Sequence, residues 1–148
     1  MSEPAFSVKL KLLENYVFQI DFGDFGNIIT DEPSPLGNDE GPNPVRLLAA
    51  AVANCLAASL LFAIRKYKQD PGEVSAEVTG ETERVDGRWR VTSMTVHLKL
   101  GNSADSIDKL QDALNKFEDF CVVTQSVRAG IPVEVSVEDS TGKALNIG

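Results

Sequence analysis

The chain has 148 residues, of which 43% are hydrophobic and 24% are charged, and its formal net charge is −8 at pH 7. This length and composition predict one globular domain, residues 1–148, that buries a core without disulfide staples. The negative charge argues against a partner that is nucleic acid or an anionic membrane, since both require basic patches.

The first third of the chain predicts a small antiparallel sheet and a long loop. We expect strands over residues 8–13, 16–22 and 28–30, with the first two joined by a short polar turn at Glu14 and Asn15. Residues 31–44 contain four prolines and two glycines, which indicates a loop. A loop of this length in a small domain is usually functional or mobile.

A long apolar helix is predicted over residues 44–66. Asn43 is a favoured N-cap, Pro44 suits the first helical position, and residues 65–68 place cations at the far end. Residues 47–64 just reach the length of a membrane span, but seven of them are Ala and Asn54, Cys55 and Ser59 interrupt the run. We therefore expect a helix buried in a protein core or at a homodimer interface, with no membrane partner.

The second half of the chain predicts a hairpin, a helix and a last strand. Residues 73–85 and 88–100 alternate in polarity around the turn Asp86-Gly87, with a bulge near residues 92–93. Residues 103–120 are predicted to form one helix whose apolar face ends at Cys121, and residues 131–137 a final strand. We expect Phe25, Phe62, Phe117 and Phe120 to lie in the core or to line a pocket. The element order predicts an α+β domain with an antiparallel sheet covered by helices.

Cys55 and Cys121 are the two cysteines of the chain. Two cysteines are too few for a disulfide scaffold and their spacing is wrong for zinc, and His97, the single histidine, completes no metal cluster. No secretory signal is visible at the N-terminus, so we expect a cytoplasmic protein whose thiols are kept reduced. The alternative interpretation of Cys55 is a small buried residue that fills an Ala-rich helix interface.

The chain resembles the OsmC/Ohr family, which contains the osmotically inducible protein and the organic hydroperoxide resistance proteins. The resemblance is carried by Asn43-Pro44 before the Ala-rich helix with Cys55, and by Cys121 followed by the segment 126–135, SVRAGIPVEV. It implies an OsmC-like fold: an intertwined homodimer with antiparallel sheets wrapped around two central helices and active sites at the subunit interface.

The resemblance also implies a peroxidase mechanism. The cysteine matching Cys55 attacks the peroxide and becomes a sulfenic acid, and the cysteine matching Cys121 resolves it as a disulfide. No bound cofactor is implied, because an external dithiol, of lipoyl type in the organic hydroperoxide branch, restores both thiols. A nearby second thiol protects a sulfenic acid from over-oxidation, and attack requires a thiolate.

The residue that activates Cys55 is not evident, because the chain departs from the family pattern. Val45 occupies the position of a family Glu, residues 1–45 contain no Arg, and Val122 replaces a Pro. Candidate cations are Arg46, Arg128, Lys9 and Lys11. Arg46 lies about 180° around the helix from Cys55, at roughly 100° per residue, so it could act only on a partner subunit's site.

The leading functional hypothesis is reduction of a hydroperoxide, with an organic peroxide favoured by the apolar helix and the Phe residues. One alternative is a non-catalytic dimer that binds a small apolar ligand. The other is a redox sensor in which the same disulfide changes the shape of the protein.

Overall fold

The computed structural model describes residues 5–148, and its N-terminal part is a three-stranded antiparallel sheet. The strands β1 (Lys9–Glu14), β2 (Val17–Asp21) and β3 (Asn27–Thr30) lie in the order β1-β2-β3. Asn15 makes the β1–β2 turn with a φ of 47°. The three predicted strands are confirmed, each to within one residue at either end.

The loop after β3 is organised around one buried carboxylate. Asp31 accepts hydrogen bonds from the backbone N–H groups of Glu32, Asn38 and Glu40 at 2.7, 3.1 and 3.1 Å. Burial raises the pKa of Asp31, but these three hydrogen bonds outweigh it and hold the pKa below its ordinary value. The loop therefore approaches α1 in a defined conformation although it contains no regular helix or strand.

The predicted apolar helix is confirmed as α1 (Pro44–Lys66), and it carries the core. Its N-terminus is capped by Asn43, whose side chain accepts a hydrogen bond from the Arg46 N–H at 3.0 Å. By length and composition alone α1 could cross a membrane. Its C-terminal half is instead packed in a core cluster formed by Leu60, Ala63, Ile64, Ile107 and Ala113.

The predicted hairpin is confirmed as β4 (Ser75–Val85) and β5 (Arg88–Lys99). Asp86 and Gly87 at the turn have φ of 52° and 79°, the left-handed conformation that a tight hairpin turn requires. The pairing register shifts between Glu81 and Thr82, which leaves Thr92 as the extra residue, so the predicted bulge is also confirmed. The hairpin packs against α1.

The prediction of one helix over residues 103–120 is wrong. The segment contains a 3-10 turn (Ala104–Ser106), the helix α2 (Leu110–Lys116) and a 3-10 helix (Phe117–Phe120). Ile107 is extended so that its side chain enters the core, and Lys109 then reverses the chain with a φ of 62°. The Gln69 side chain accepts a hydrogen bond from the Asp108 N–H at this break. Tertiary burial of Ile107 therefore overrides the local helical pattern.

The final strand predicted over residues 131–137 is also wrong for this chain on its own. After the helix α3 (Val122–Ala129), the only pairing within residues 5–148 is a two-residue ladder between β6 (Val137–Glu138) and β7 (Ala144–Leu145). Val133 and Val135 are exposed. A strand needs a neighbour for its backbone hydrogen bonds, and the described chain supplies none here.

Candidate active site

Both cysteines belong to one apolar cluster, reached from two different elements. Cys55 lies in the middle of α1 and is partly buried, whereas Cys121 immediately precedes α3 and is 0% exposed. Val52, Leu56 and Cys121 form the buried cluster, and Cys55 packs against it. Both thiols are free. The structure therefore brings the two predicted site cysteines together.

Thr124 is the closest polar neighbour of the Cys121 sulfur. Its Oγ1 lies 3.0 Å from Cys121 Sγ, and this pair is buried. One turn of α3 makes the contact, because residues three apart in a helix share a face. A thiol donates this hydrogen bond, while a thiolate would accept it from the Thr124 hydroxyl.

The surroundings of Cys121 favour its ionised form. Burial raises the pKa of the Cys121 thiol, but hydrogen bonds from Thr124, Cys55 and Ser59 outweigh burial, so the pKa lies below its ordinary value. Ser59 and Thr124 are the site residues that the sequence did not reveal as functional. The signal was their spacing, since Ser59 follows Cys55 by one helical turn and Thr124 follows Cys121 by three residues.

A cavity of about 530 Å³ opens beside the cysteine cluster. Its walls are mainly apolar and come from α1, β5, the segment before α3 and α3 itself. Two charged side chains, Glu118 and Arg128, stand among the lining residues. The apolar lining residues include Leu48, Val52, Leu56, Met94, Leu98 and Phe117. Because Leu56 and Val52 belong to both the cavity wall and the cysteine cluster, the cavity borders the cluster, although neither cysteine is among its lining residues.

The candidate cations are separated by the fold. Arg128 lines the cavity that borders the cysteine cluster, and its Nη2 lies 2.7 Å from the Glu118 carboxylate. Arg46 lines a different cavity of about 410 Å³ between α1 and the β4–β5 hairpin, together with Val45. Lys9 and Lys11 are exposed on β1. Within this chain, Arg128 is thus the candidate cation that shares a cavity with the cysteine cluster.

Among residues 5–148, no group of three or more His, Cys, Asp or Glu side chains could hold a metal ion. His97 is exposed on β5 opposite Glu77. Phe117 lines the cavity, as predicted. Phe25, Phe62 and Phe120 are 93%, 56% and 42% exposed, so their predicted place in a core or pocket is wrong for the single chain, although Phe62 and Phe120 pack edge-to-face at 5.4 Å.

Solved structures share this fold at low sequence identity. A protein of Psychrobacter arcticus 273-4, provisionally described as osmotic stress induced and acting in the detoxification response, matches with a TM-score of 0.71 and 23% identity over 84% of this chain and 90% of its own. OhrB of Bacillus subtilis, an organic hydroperoxide resistance protein, matches with a TM-score of 0.60 and 21% identity over 86% and 94%. An organic hydroperoxide resistance protein OsmC of Legionella pneumophila matches with a TM-score of 0.63 and 15% identity over 85% and 92%.

The family relationship rests on a match over most of the sequence. No curated protein sequence matches the chain. The profile of the OsmC-like protein family matches residues 37–136, which run from the loop before α1 to the residue before β6. This span exceeds half of the chain and contains both Cys55 and Cys121. The chain therefore belongs to the OsmC-like protein family.

Proposed function

We propose that the protein is a thiol-dependent peroxidase that reduces organic hydroperoxides, with Cys55 as the nucleophile and Cys121 as the resolving cysteine. The observation that carries the proposal is the packing of both free thiols in one apolar cluster beside a cavity of about 530 Å³. Family membership supports the same class of chemistry, since the similar folds include proteins described as organic hydroperoxide resistance proteins.

The accessibility of the two cysteines supports the proposal that Cys55 reacts first and Cys121 second. Cys121 is 0% exposed, whereas Cys55 is partly accessible, and the peroxide must reach the attacking sulfur. In the first step the Cys55 thiolate attacks the terminal oxygen of ROOH. The S–O bond forms as the O–O bond breaks, the sulfur is oxidised to a sulfenic acid, and the alkoxide takes a proton and leaves as ROH.

The second step uses the proximity of Cys121. Its thiolate attacks the sulfenic sulfur of Cys55, the S–S bond forms, and the leaving hydroxide is protonated to water. A resolving thiol at hand keeps the sulfenic acid from further oxidation. An external dithiol, of the lipoyl class, then reduces the disulfide by exchange and carries the two electrons away as its own disulfide.

The cavity wall supports an organic substrate. Side chains such as Leu48, Leu56, Met94 and Phe117 would remove the alkyl or aryl group of a peroxide from water, which is favourable by about 25 cal/mol per Å² of apolar surface. Hydrogen peroxide has no apolar group and gains nothing from this wall. Arg128 is the proposed cation at the substrate cavity, and Arg46 would need to act across a subunit interface.

We also propose that the protein acts as a homodimer in the cytoplasm. Large apolar side chains are exposed on several parts of the single chain, including Phe25 at 93% and Val133 at 80%. A second copy would bury such surface, and residues 131–137 would gain a strand partner. Light scattering after gel filtration measures the mass directly, and a monomer at micromolar concentration would contradict this part of the proposal.

A second candidate function is the binding of a small apolar ligand without catalysis. It is favoured by the apolar cavity together with the ion pair between Arg128 and Glu118, which offsets the charge of the arginine that lines this cavity. A binder would be stabilised thermally by an apolar compound and would be indifferent to Cys121→Ser. A redox sensor would instead oxidise once and turn over slowly.

Intact mass spectrometry tests the leading proposal. The reduced protein receives one equivalent of cumene hydroperoxide, and free thiols are counted in parallel. We expect a loss of two hydrogens and of both thiols, no such loss in Cys55→Ser, and oxygen adducts in Cys121→Ser. An unchanged mass with both thiols retained would refute the peroxidase.

A further inference from the structure

Two buried hydroxyl groups converge on the Cys121 sulfur from two helices. Thr124 Oγ1 of α3 lies 3.0 Å from it, and Ser59 of α1 is among the side chains that lower the pKa of Cys121. Thr124 is 5% exposed and Ser59 is 7% exposed. A buried hydroxyl without a hydrogen bond is costly, and Thr124 finds its partner in the Cys121 sulfur.

The charged groups nearby do not account for a stabilised thiolate. On the segment before α3, Glu118 and Asp119 are exposed, and Arg128 of α3 is paired with Glu118 at 2.7 Å. The hydrophobic residues of β5 that pack against the cysteine cluster are Met94, Val96 and Leu98. From α1, Cys55 is a titratable group that lowers the pKa of Cys121, and the other interactions that lower it are hydrogen bonds with neutral groups. Neutral hydrogen-bond donors are therefore the groups left to stabilise a negative sulfur.

We propose that Thr124 and Ser59 are positioning residues that hold Cys121 as a thiolate for the resolving step. This inference rests on the proposed peroxidase function. The step is attack of the Cys121 thiolate on the sulfenic sulfur of Cys55, which forms the disulfide and releases hydroxide. A thiolate that already exists needs no base at that moment, so the disulfide closes before a second peroxide can oxidise Cys55 further.

The first test measures the thiolate without any peroxide. In a Cys55→Ser background, the ultraviolet absorbance of the Cys121 thiolate is followed against pH, with Cys55→Ser/Cys121→Ser as the baseline. Thr124→Val should raise the midpoint, and Thr124→Ser should restore it. Ser59→Ala should also raise it, which keeps the test decisive if Thr124→Val does not fold. Thr30→Val is the matched control, since Thr30 is a threonine buried to 6% exposure on β3.

The second test follows both chemical steps in the dithiol protein. In Thr124→Val, formation of the Cys55 sulfenic acid should keep its rate, disulfide closure should slow by up to about tenfold, and the sulfinic acid fraction should rise. Unchanged midpoints, or equal slowing of both steps, would overturn the positioning role. If the unmodified protein does not react with peroxide, the proposed function fails, whereas the titration still reports whether the hydroxyls stabilise the thiolate.

Discussion

Filling the cavity should lower the activity toward organic peroxides and leave the activity toward hydrogen peroxide nearly unchanged. Val127 lines the cavity from α3 and is 37% exposed, so Val127→Trp can place an indole ring in the opening without displacing the buried core. The cumyl group of cumene hydroperoxide is similar in size to a Phe side chain, whose full burial contributes about 1.5–3 kcal/mol. Loss of that burial corresponds to a decrease in kcat/KM of about 10- to 100-fold.

The assay compares two substrates in two variants. Val127→Trp should lower kcat/KM for cumene hydroperoxide by that factor and leave the value for hydrogen peroxide within about twofold, because hydrogen peroxide has no apolar group to bury. Val122→Trp is the matched control on the same helix, since Val122 is 75% exposed and does not line the cavity.

Two results would refute this reasoning. Equal losses for both peroxides in Val127→Trp would mean that the substitution disturbs the thiols and not the substrate cavity. Equal activity toward cumene hydroperoxide in Val127→Trp and the unmodified protein would mean that the substrate binds elsewhere. Calorimetric titration with cumyl alcohol, the reaction product, would measure occupation of the cavity independently of turnover.

Three further predictions concern charge and stability. Arg128→Ala should lower kcat/KM for cumene hydroperoxide while leaving the urea midpoint nearly unchanged, because an exposed ion pair contributes about 0–1 kcal/mol. Arg90→Ala on the hairpin is the control. Equal activities of Arg128→Ala and Arg90→Ala would mean that Arg128 is not part of the site. Ile64→Ala, at a core position 1% exposed, should lower the free energy of unfolding by about 2–5 kcal/mol in urea titrations, and a loss below 1 kcal/mol would contradict its place in the core. The pKa of Asp31 is lowered in the folded protein, so its contribution to stability is present above the unfolded pKa of about 3.9 and is lost as the pH falls through the folded pKa. Asp31→Asn should therefore be less stable than the unmodified protein at neutral pH, and its stability in urea melts should depend less on acid. An identical acid profile in both proteins would contradict this.

The local elements that are confirmed are those with strong short-range signals. Asn43 and Pro44 start α1 because a capping side chain and a preset φ act within one turn. Asp86 and Gly87 set the hairpin because both adopt positive φ. The bulge at Thr92 was visible as a change in alternation. These features need no information from distant parts of the chain.

The predictions that are wrong concern segments whose structure depends on contacts with residues distant in the sequence. The helix over residues 103–120 breaks because Ile107 gains more from the core than from continuing the helix. The strand over residues 131–137 has the right alternation but no neighbour within the described chain. Phe25 looks like a core residue by type and is exposed in the single chain. Alternation and residue type report which surfaces are apolar, not what covers them.

At the candidate site, residue types and motifs alone predict two thiols on separate elements and a resemblance to a family in which such thiols react. Packing brings Cys55 and Cys121 into one cluster, places Arg128 and not Arg46 in the cavity that borders it, and puts Thr124 against the buried Cys121 sulfur. The physical reason is the distance along the sequence between the residues that interact. Caps and turns are set by neighbours along the chain, whereas the ionisation of a thiol and the shape of a cavity depend on groups brought together by packing over more than 60 residues of sequence.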